Sequence, residues 1–214
     1  MTYRDLSQPI RTGTPVFPGD PAVEVSPAAT LEDDGYRVSA LSCGTHSGTH
    51  IDAPSHTQPA GSTLEEGAVD RFVFDARVVD CTGYGPRDAI GADALPEDDA
   101  GDLLVCQTGW DVHWDTDRYR DHPYLAPEAA DRCVAAGWSL AVDALNPDPT
   151  PSPNASDDEP AGFPAHDAIL GNERFIIENL RNLAGLERFT LYAFPLPIEG
   201  ADGSPIRAVA ELEP

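Results

Sequence analysis

Gly44-Thr45-His46-Ser47-Gly48-Thr49-His50-Ile51-Asp52-Ala53-Pro54-Ser55-His56 carries three of the six histidines in the chain. His46, His50 and Asp52 are separated by even numbers of positions. In an extended segment, side chains two and four apart share a face. Two imidazoles and a carboxylate then converge, with Gly48 adding no side chain between them. That donor set suits a divalent cation. The pattern is not HExxH, because the Glu and the helical context are both missing, so a helical zinc-protease reading fails. Pro54 ends the extended run, which leaves His56 beyond it.

Outward from this stretch the chain reads as short strands with few helices. Segments 36–43, 72–80, 103–108, 138–144, 175–177, 190–194 and 206–212 are β-like by apolar content and alternation. A helix is expected from Pro127 to about Ala136, with Pro in its first turn, Glu128 at the positive end of its dipole and Gly137 as a stop. A second is expected over 165–171. The stretch 146–164, NPDPTPSPNASDDEPAGFP, reads as an acidic, Pro-rich surface loop of the lid or spacer kind. These elements predict an α/β fold with a mainly antiparallel or mixed sheet. The length of 214 residues predicts a single domain, 1–214.

Composition limits the partners. The formal net charge is -24, and all 13 basic residues are Arg. The acidic clusters Glu32-Asp33-Asp34, Glu97-Asp98-Asp99 and Asp157-Asp158-Glu159 fall in expected loops. A hydrophobic content of 41% argues for a folded chain rather than a disordered polyanion. Such a surface repels nucleic acid and anionic membrane. Self-repulsion of this size suits a salt-rich medium, since 1 M salt screens charges within about 3 Å. A cytoplasmic location in a salt-adapted organism is therefore expected. The four cysteines form no CxxC pair and read as reduced thiols. Cys43 reads as strand packing.

A second constellation lies downstream. His166 and Glu178 stand twelve residues apart, and Glu178 closes the apolar run Phe175-Ile176-Ile177, where a carboxylate is costly to bury unless paired or coordinating. The aromatic stretch 110–124, with His113 and His122, reads mainly as packing anchors.

Taken together, His46-x3-His50-x-Asp52-x3-His56, the pair His166/Glu178 and Thr108-Gly109-Trp110 resemble the cyclase family of metal-dependent hydrolases, which includes bacterial kynurenine formamidases and isatin hydrolases. Asp5-Leu6-Ser7, Pro18-Gly19-Asp20, the run from Ala141 to Asp148 and the run from Gly203 to Ala210 extend the resemblance over nearly the whole chain. It implies the swivelling β/β/α type of fold and a homodimer or homotetramer. It also implies one or two divalent ions per chain, Zn2+ foremost and Mn2+ as the alternative. His46, His50 and Asp52 would hold one ion, and Asp52 would bridge to a second held by His166 and Glu178. His56 would be the acid–base residue, placed to take a proton from the attacking water and pass it to the leaving nitrogen. Where kynurenine formamidases carry Trp in Pro-Val-Trp-Pro-Gly-Asp, this chain has Phe17, which can stack on an aryl substrate but lacks the indole N–H. The implied activity is hydrolysis of a small amide, foremost an aryl formamide of the N-formylkynurenine kind from tryptophan catabolism. The alternatives are opening of a cyclic amide, lactam or ester, as in isatin hydrolases, and a metal-binding protein without catalysis.

Overall fold

The computed structural model describes residues 2–97 and 101–212, so Asp98 and Asp99 of the second acidic cluster lie outside the described residues. The strands are β1 (Thr2–Asp5), β2 (Glu24–Ala29), β3 (Val38–Ser42), β4 (His50–Asp52), β5 (Val73–Asp80), β6 (Ala89–Ile90), β7 (Leu103–Gln107), β8 (Tyr124–Leu125), β9 (Ser139–Val142), β10 (Ile176–Glu178), β11 (Arg188–Tyr192), β12 (Gly203–Pro205) and β13 (Val209–Leu212). The α-helices are α1 (Leu31–Asp34), α2 (Pro127–Ala136) and α3 (Pro164–Leu170). Nine strands form one sheet in the order β1-β13-β11-β5-β7-β9-β10-β4-β12. β5, β7, β9 and β10 run parallel, and the other pairings of this sheet are antiparallel. This is the mixed-sheet α/β architecture expected from the sequence.

The central strands are apolar on both faces because both are covered. Along β7, Leu103 and Val105 pack with Phe74, Phe175, Ile177 and Leu191. Their neighbours Leu104 and Cys106 point the other way and pack with Ala129 and Cys133 of α2 and Ile169 of α3. The same alternation places the functional side chains. Ile51 of β4 joins the first core, so His50 and Asp52 face the opposite side. On β10, Ile177 joins the first core and Ile176 the second, which turns Glu178 toward α3. A strand pair and one short helix thus enclose the site.

Several expectations change. Extended geometry holds for His50–Asp52 only; His46 lies in a turn, so convergence with His50 does not come from strand alternation. It comes from Gly48, whose φ of 65° folds the chain back in a conformation that favours glycine. Glu32-Asp33-Asp34 is not loop but most of α1, whose N-cap Thr30 accepts from the Asp33 N–H. Asn146, Pro147, Asp148 and Thr150 are buried, and only the stretch from Pro151 to Phe163 is predominantly exposed, so the acidic loop is anchored at its start. β1, β2, β6, β8 and β12 were not expected; each is two to six residues long, too short to show a period. β2 and β3 pair apart from the main sheet. Val25, Val38 and Leu41 remain exposed there, and so does Tyr36 before β3.

Candidate metal centre and active site

His50 stands opposite Glu178 in the antiparallel register of β4 and β10. His50 Nε2 lies 3.3 Å from Glu178 Oε2 and 3.3 Å from Asp52 Oδ1. From α3, His166 Nε2 comes within 3.6 Å of Asp52 Oδ2 and 3.4 Å of Glu178 Oε1. His46 Nδ1 is 2.7 Å from Asp52 Oδ1. Asp52, Glu178, His50 and His166 are all buried. Among the described residues, three groups bring ligand atoms within 4.8 Å of one another: His46/His50/Asp52, Asp52/His166/Glu178 and His46/His56/Asp202.

The imidazoles are aimed by their other nitrogens. His50 donates from Nδ1 to the Gly48 carbonyl at 2.8 Å. His166 donates from Nδ1 to Asp148 Oδ2 at 2.8 Å. In the neutral ring each bond leaves the Nε2 lone pair on the side of the carboxylates, where it could ligate a cation, the arrangement that orients metal-binding histidines. Asp148 also accepts the backbone N–H groups of Ala165 and His166, so it caps α3 while it aims the ring. Asn179 holds the Gly48 carbonyl through Nδ2 and accepts the Tyr119 hydroxyl, tying the turn that carries His46 and His50 to β10.

Two oxygens decide what the cluster suits. Asp52 Oδ2 and Glu178 Oε1 are buried with no hydrogen-bond partner, a costly state for carboxylates unless a cation meets them. Burial opposes a charged His46, but Asp52 and Asp202 outweigh it and push the imidazole up to about 10. The same contest raises His50, where Asp52 and Glu178 prevail over burial, and His166, where Asp148, Asp52 and Glu178 do. Burial pushes Asp52 and Glu178 up, yet the surrounding imidazoles hold both below the ordinary carboxylate range. The carboxylates thus demand positive charge, which a divalent ion supplies in place of protons.

His56 follows Pro54 in a short 3-10 turn. Its ring lies 4.0 Å from that of His46 and 5.7 Å from that of His166, and its Nδ1 is 3.5 Å from Asp202 Oδ2. Burial lowers its pKa, with His46 and His166 adding to the effect against Asp52 and Glu178, which favours the uncharged ring. The cluster opens into a cavity of about 340 Å³ whose apolar wall includes Phe17, Leu145 and Phe163. Phe17 and Phe163 meet at 5.8 Å between ring centroids.

A family model, Cyclase ("Putative cyclase"), matches residues 4–149. The chain belongs to the cyclase family. It is 33% identical to a kynurenine formamidase of Maricaulis maris over 96% of this chain and 95% of that protein. It is 32% identical to a kynurenine formamidase of Paracidovorax citrulli, with 96% and 94% covered. Among solved structures, an isatin hydrolase bound to the product analogue thioisatinate aligns with a TM-score of 0.87 and 26% identity, over 97% of this chain and 91% of that one.

In this cyclase-family chain all six expected metal and acid–base residues reach one cavity, and Phe17 is on its wall. Asp148, Asp202, Asn179 and Phe163 were missed. The Asn146-Pro147-Asp148 run was visible as a motif, but its reach to His166 spans 18 positions. Asp202 comes from β12's approach to β4, which short polar sequence does not announce. Thr108-Gly109-Trp110 lies outside the cavity; Asp143 binds the backbone N–H groups of Thr108 and Gly109, making the motif a structural turn. His122 is buried between the Pro123 carbonyl and the Thr150 hydroxyl, a packing role.

Proposed function

We propose that this protein hydrolyses a small amide, foremost an aryl formamide of the N-formylkynurenine kind, with one or two divalent ions held by His46, His50, Asp52, His166 and Glu178. The observation that carries the reading is the pair of buried, unpartnered oxygens, Asp52 Oδ2 and Glu178 Oε1, both facing His166 Nε2, while His50 Nε2 faces the other oxygen of each carboxylate. Five nitrogen and oxygen ligands favour zinc, with manganese as the alternative. When bound, the ion supplies Lewis-acid polarisation of the carbonyl and lowers the pKa of water to about 7. Asp52 belongs to both ligand groups and would be shared if two ions bind. His56, whose pKa burial lowers, accepts a proton from the attacking water. The C–O bond forms, the C–N bond breaks, and His56 returns the proton to the departing amine nitrogen. Phe17 and Phe163 hold the aryl group by stacking, and burial of Asp52 and Glu178 keeps bulk water from the ligands.

A second reading is opening of a cyclic amide. It is favoured by the likeness to the isatin hydrolase and by Phe17, which stacks on a fused ring but lacks the donor of a Trp. Turnover of N-formylkynurenine, formanilide and isatin by protein of measured metal content separates the two. Metal content near zero together with full activity after chelator dialysis would sink both.

We also propose a homodimer or homotetramer, with the exposed apolar side chains of the β2–β3 ribbon at the contact; light scattering of a Leu41→Glu variant tests it. Among the described residues no helix is long and apolar enough to cross a membrane. The charge of -24 supports a salt-adapted, cytoplasmic setting.

A further inference from the structure

Apart from imidazoles, carboxylates and apolar side chains, the described residues that line the cavity are two, Thr57 and Asn146. Asn146 is the buried one, at 5% exposure. Its amide is fixed in one orientation. The Asp148 N–H donates to Asn146 Oδ1 at 2.6 Å, and only the oxygen end of an amide can accept it. Nδ2 is therefore the opposite end. It has no hydrogen-bond partner among the described residues, and unlike Asp52 Oδ2 and Glu178 Oε1 it is not sealed from the cavity.

Asp148, which fixes this amide through its N–H, also aims His166 through Oδ2. One residue thus sets both a ring of the metal centre and a neutral donor beside it. A donor in so buried a place is costly to leave unpaired, and the position suits an acceptor that arrives with a ligand. The histidine–carboxylate cluster engages the scissile amide, and the Phe17–Phe163 pair engages the aryl ring. Asn146 adds a third point of contact.

Resting on the amide-hydrolase reading, we infer that Asn146 is a specificity-determining residue whose Nδ2 donates to a second carbonyl of the substrate, next to the scissile amide. The site then selects aryl amides that carry such a carbonyl over those that do not. Both activities proposed above meet the requirement. N-formylkynurenine has an aryl ketone ortho to its formamide, and isatin has a ketone beside its lactam carbonyl. Formanilide has neither and is the poorer substrate.

Two formanilides that differ in one oxygen test this, 2-acetylformanilide and 2-ethylformanilide. Their intrinsic reactivities are the same for every variant, so the reading is the change in the ratio of kcat/KM values between the metal-loaded parent and Asn146→Asp. That variant keeps the acceptor for the Asp148 N–H and loses the donor. The acetyl-to-ethyl ratio is expected to fall about 3–10-fold, the size of one neutral hydrogen bond. Calorimetry on 2-aminoacetophenone and 2-ethylaniline, which have no amide to hydrolyse, gives a second measurement. The parent is expected to bind the ketone tighter by a similar factor, and Asn146→Asp to lose the preference. Equal slowing of both formanilides in Asn146→Asp, with the ratio unchanged, overturns the inference while the amide-hydrolase reading stands. A parent that binds both anilines equally overturns it without recourse to any variant. No hydrolysis of either formanilide, with the ketone preference present in the parent and lost in Asn146→Asp, supports the role of Asn146 and overturns the amide-hydrolase reading. No hydrolysis and no preference overturn both.

Discussion

Burial lowers all four imidazoles, and His56 differs from its neighbours in that no carboxylate outweighs it. His46, His50 and His166 are driven toward the charged form by adjacent carboxylates, while His56 is held below its ordinary value. A group that must accept a proton at neutral pH has to be free of one beforehand. His56→Ala is therefore expected to keep its metal, read by elemental analysis, and to lose about 10²–10⁴-fold in kcat, the range for a general base. Parent-level turnover in that variant would remove His56 from the mechanism. His46, by contrast, was legible as a ligand candidate for the wrong reason: the even spacing pointed to a strand, and the backbone instead turns at Gly48. Gly203 completes that corner, since a Cβ there would stand 2.6 Å from His46 Cε1. Single-residue chemistry showed the donors, but not the turn that aims them.

At the scale of elements, α3 shows how a short helix becomes a precise one. Its seven residues cannot be stable alone, and Phe163 at its N-cap offers no side-chain cap. Asp148 supplies the missing acceptor from the loop and fixes His166 with the same carboxylate. Asp148→Ala is expected to weaken metal binding about 10–100-fold, as loss of a ligand-orienting partner does, and to lower stability by roughly 1 kcal/mol through the lost cap. Competition with a chromophoric chelator and thermal melts measure the two effects. Unchanged affinity would separate Asp148 from the centre. His122 secures the same loop at Thr150. Burial presses its pKa down to about 4 against the carbonyl of Pro123, which favours the charged form. The folded value lies below the unfolded one of about 6.5, so the stability from neutral His122 is complete above pH 6.5 and is lost as the pH falls toward 4. The loss amounts to at most about 3 kcal/mol. Chemical denaturation at pH 7 and pH 4.5 should show a shallower decline in His122→Gln than in the parent. Both contacts join residues 18 or more positions apart, and no local pattern in the sequence encodes them.

Across the whole molecule the excess charge dominates. With 37 acidic and 13 basic residues, the folded surface repels itself at low ionic strength, and salt screens that repulsion. The midpoint of thermal unfolding is expected to rise by several degrees or more between 0.05 and 2 M KCl; a flat or falling midpoint would count against a salt-adapted origin. The mixed sheet itself was legible, because seven strand segments and α2 carry apolar periods that few other folds satisfy. The parallel centre and the antiparallel flanks were not, since strand order depends on which faces α2 and α3 cover.

By itself the sequence determined the ligand types, the α/β class, the start and stop of α2 and the polyanionic surface, all of which follow from residue chemistry and local spacing. Only the tertiary structure decided that His46 arrives by a turn and that Asp148 and Asp202 join the site. The physical reason is range. Periodicity and capping act over a few residues, whereas a hydrogen bond or ion pair is made wherever the packed sheet happens to bring two distant side chains together.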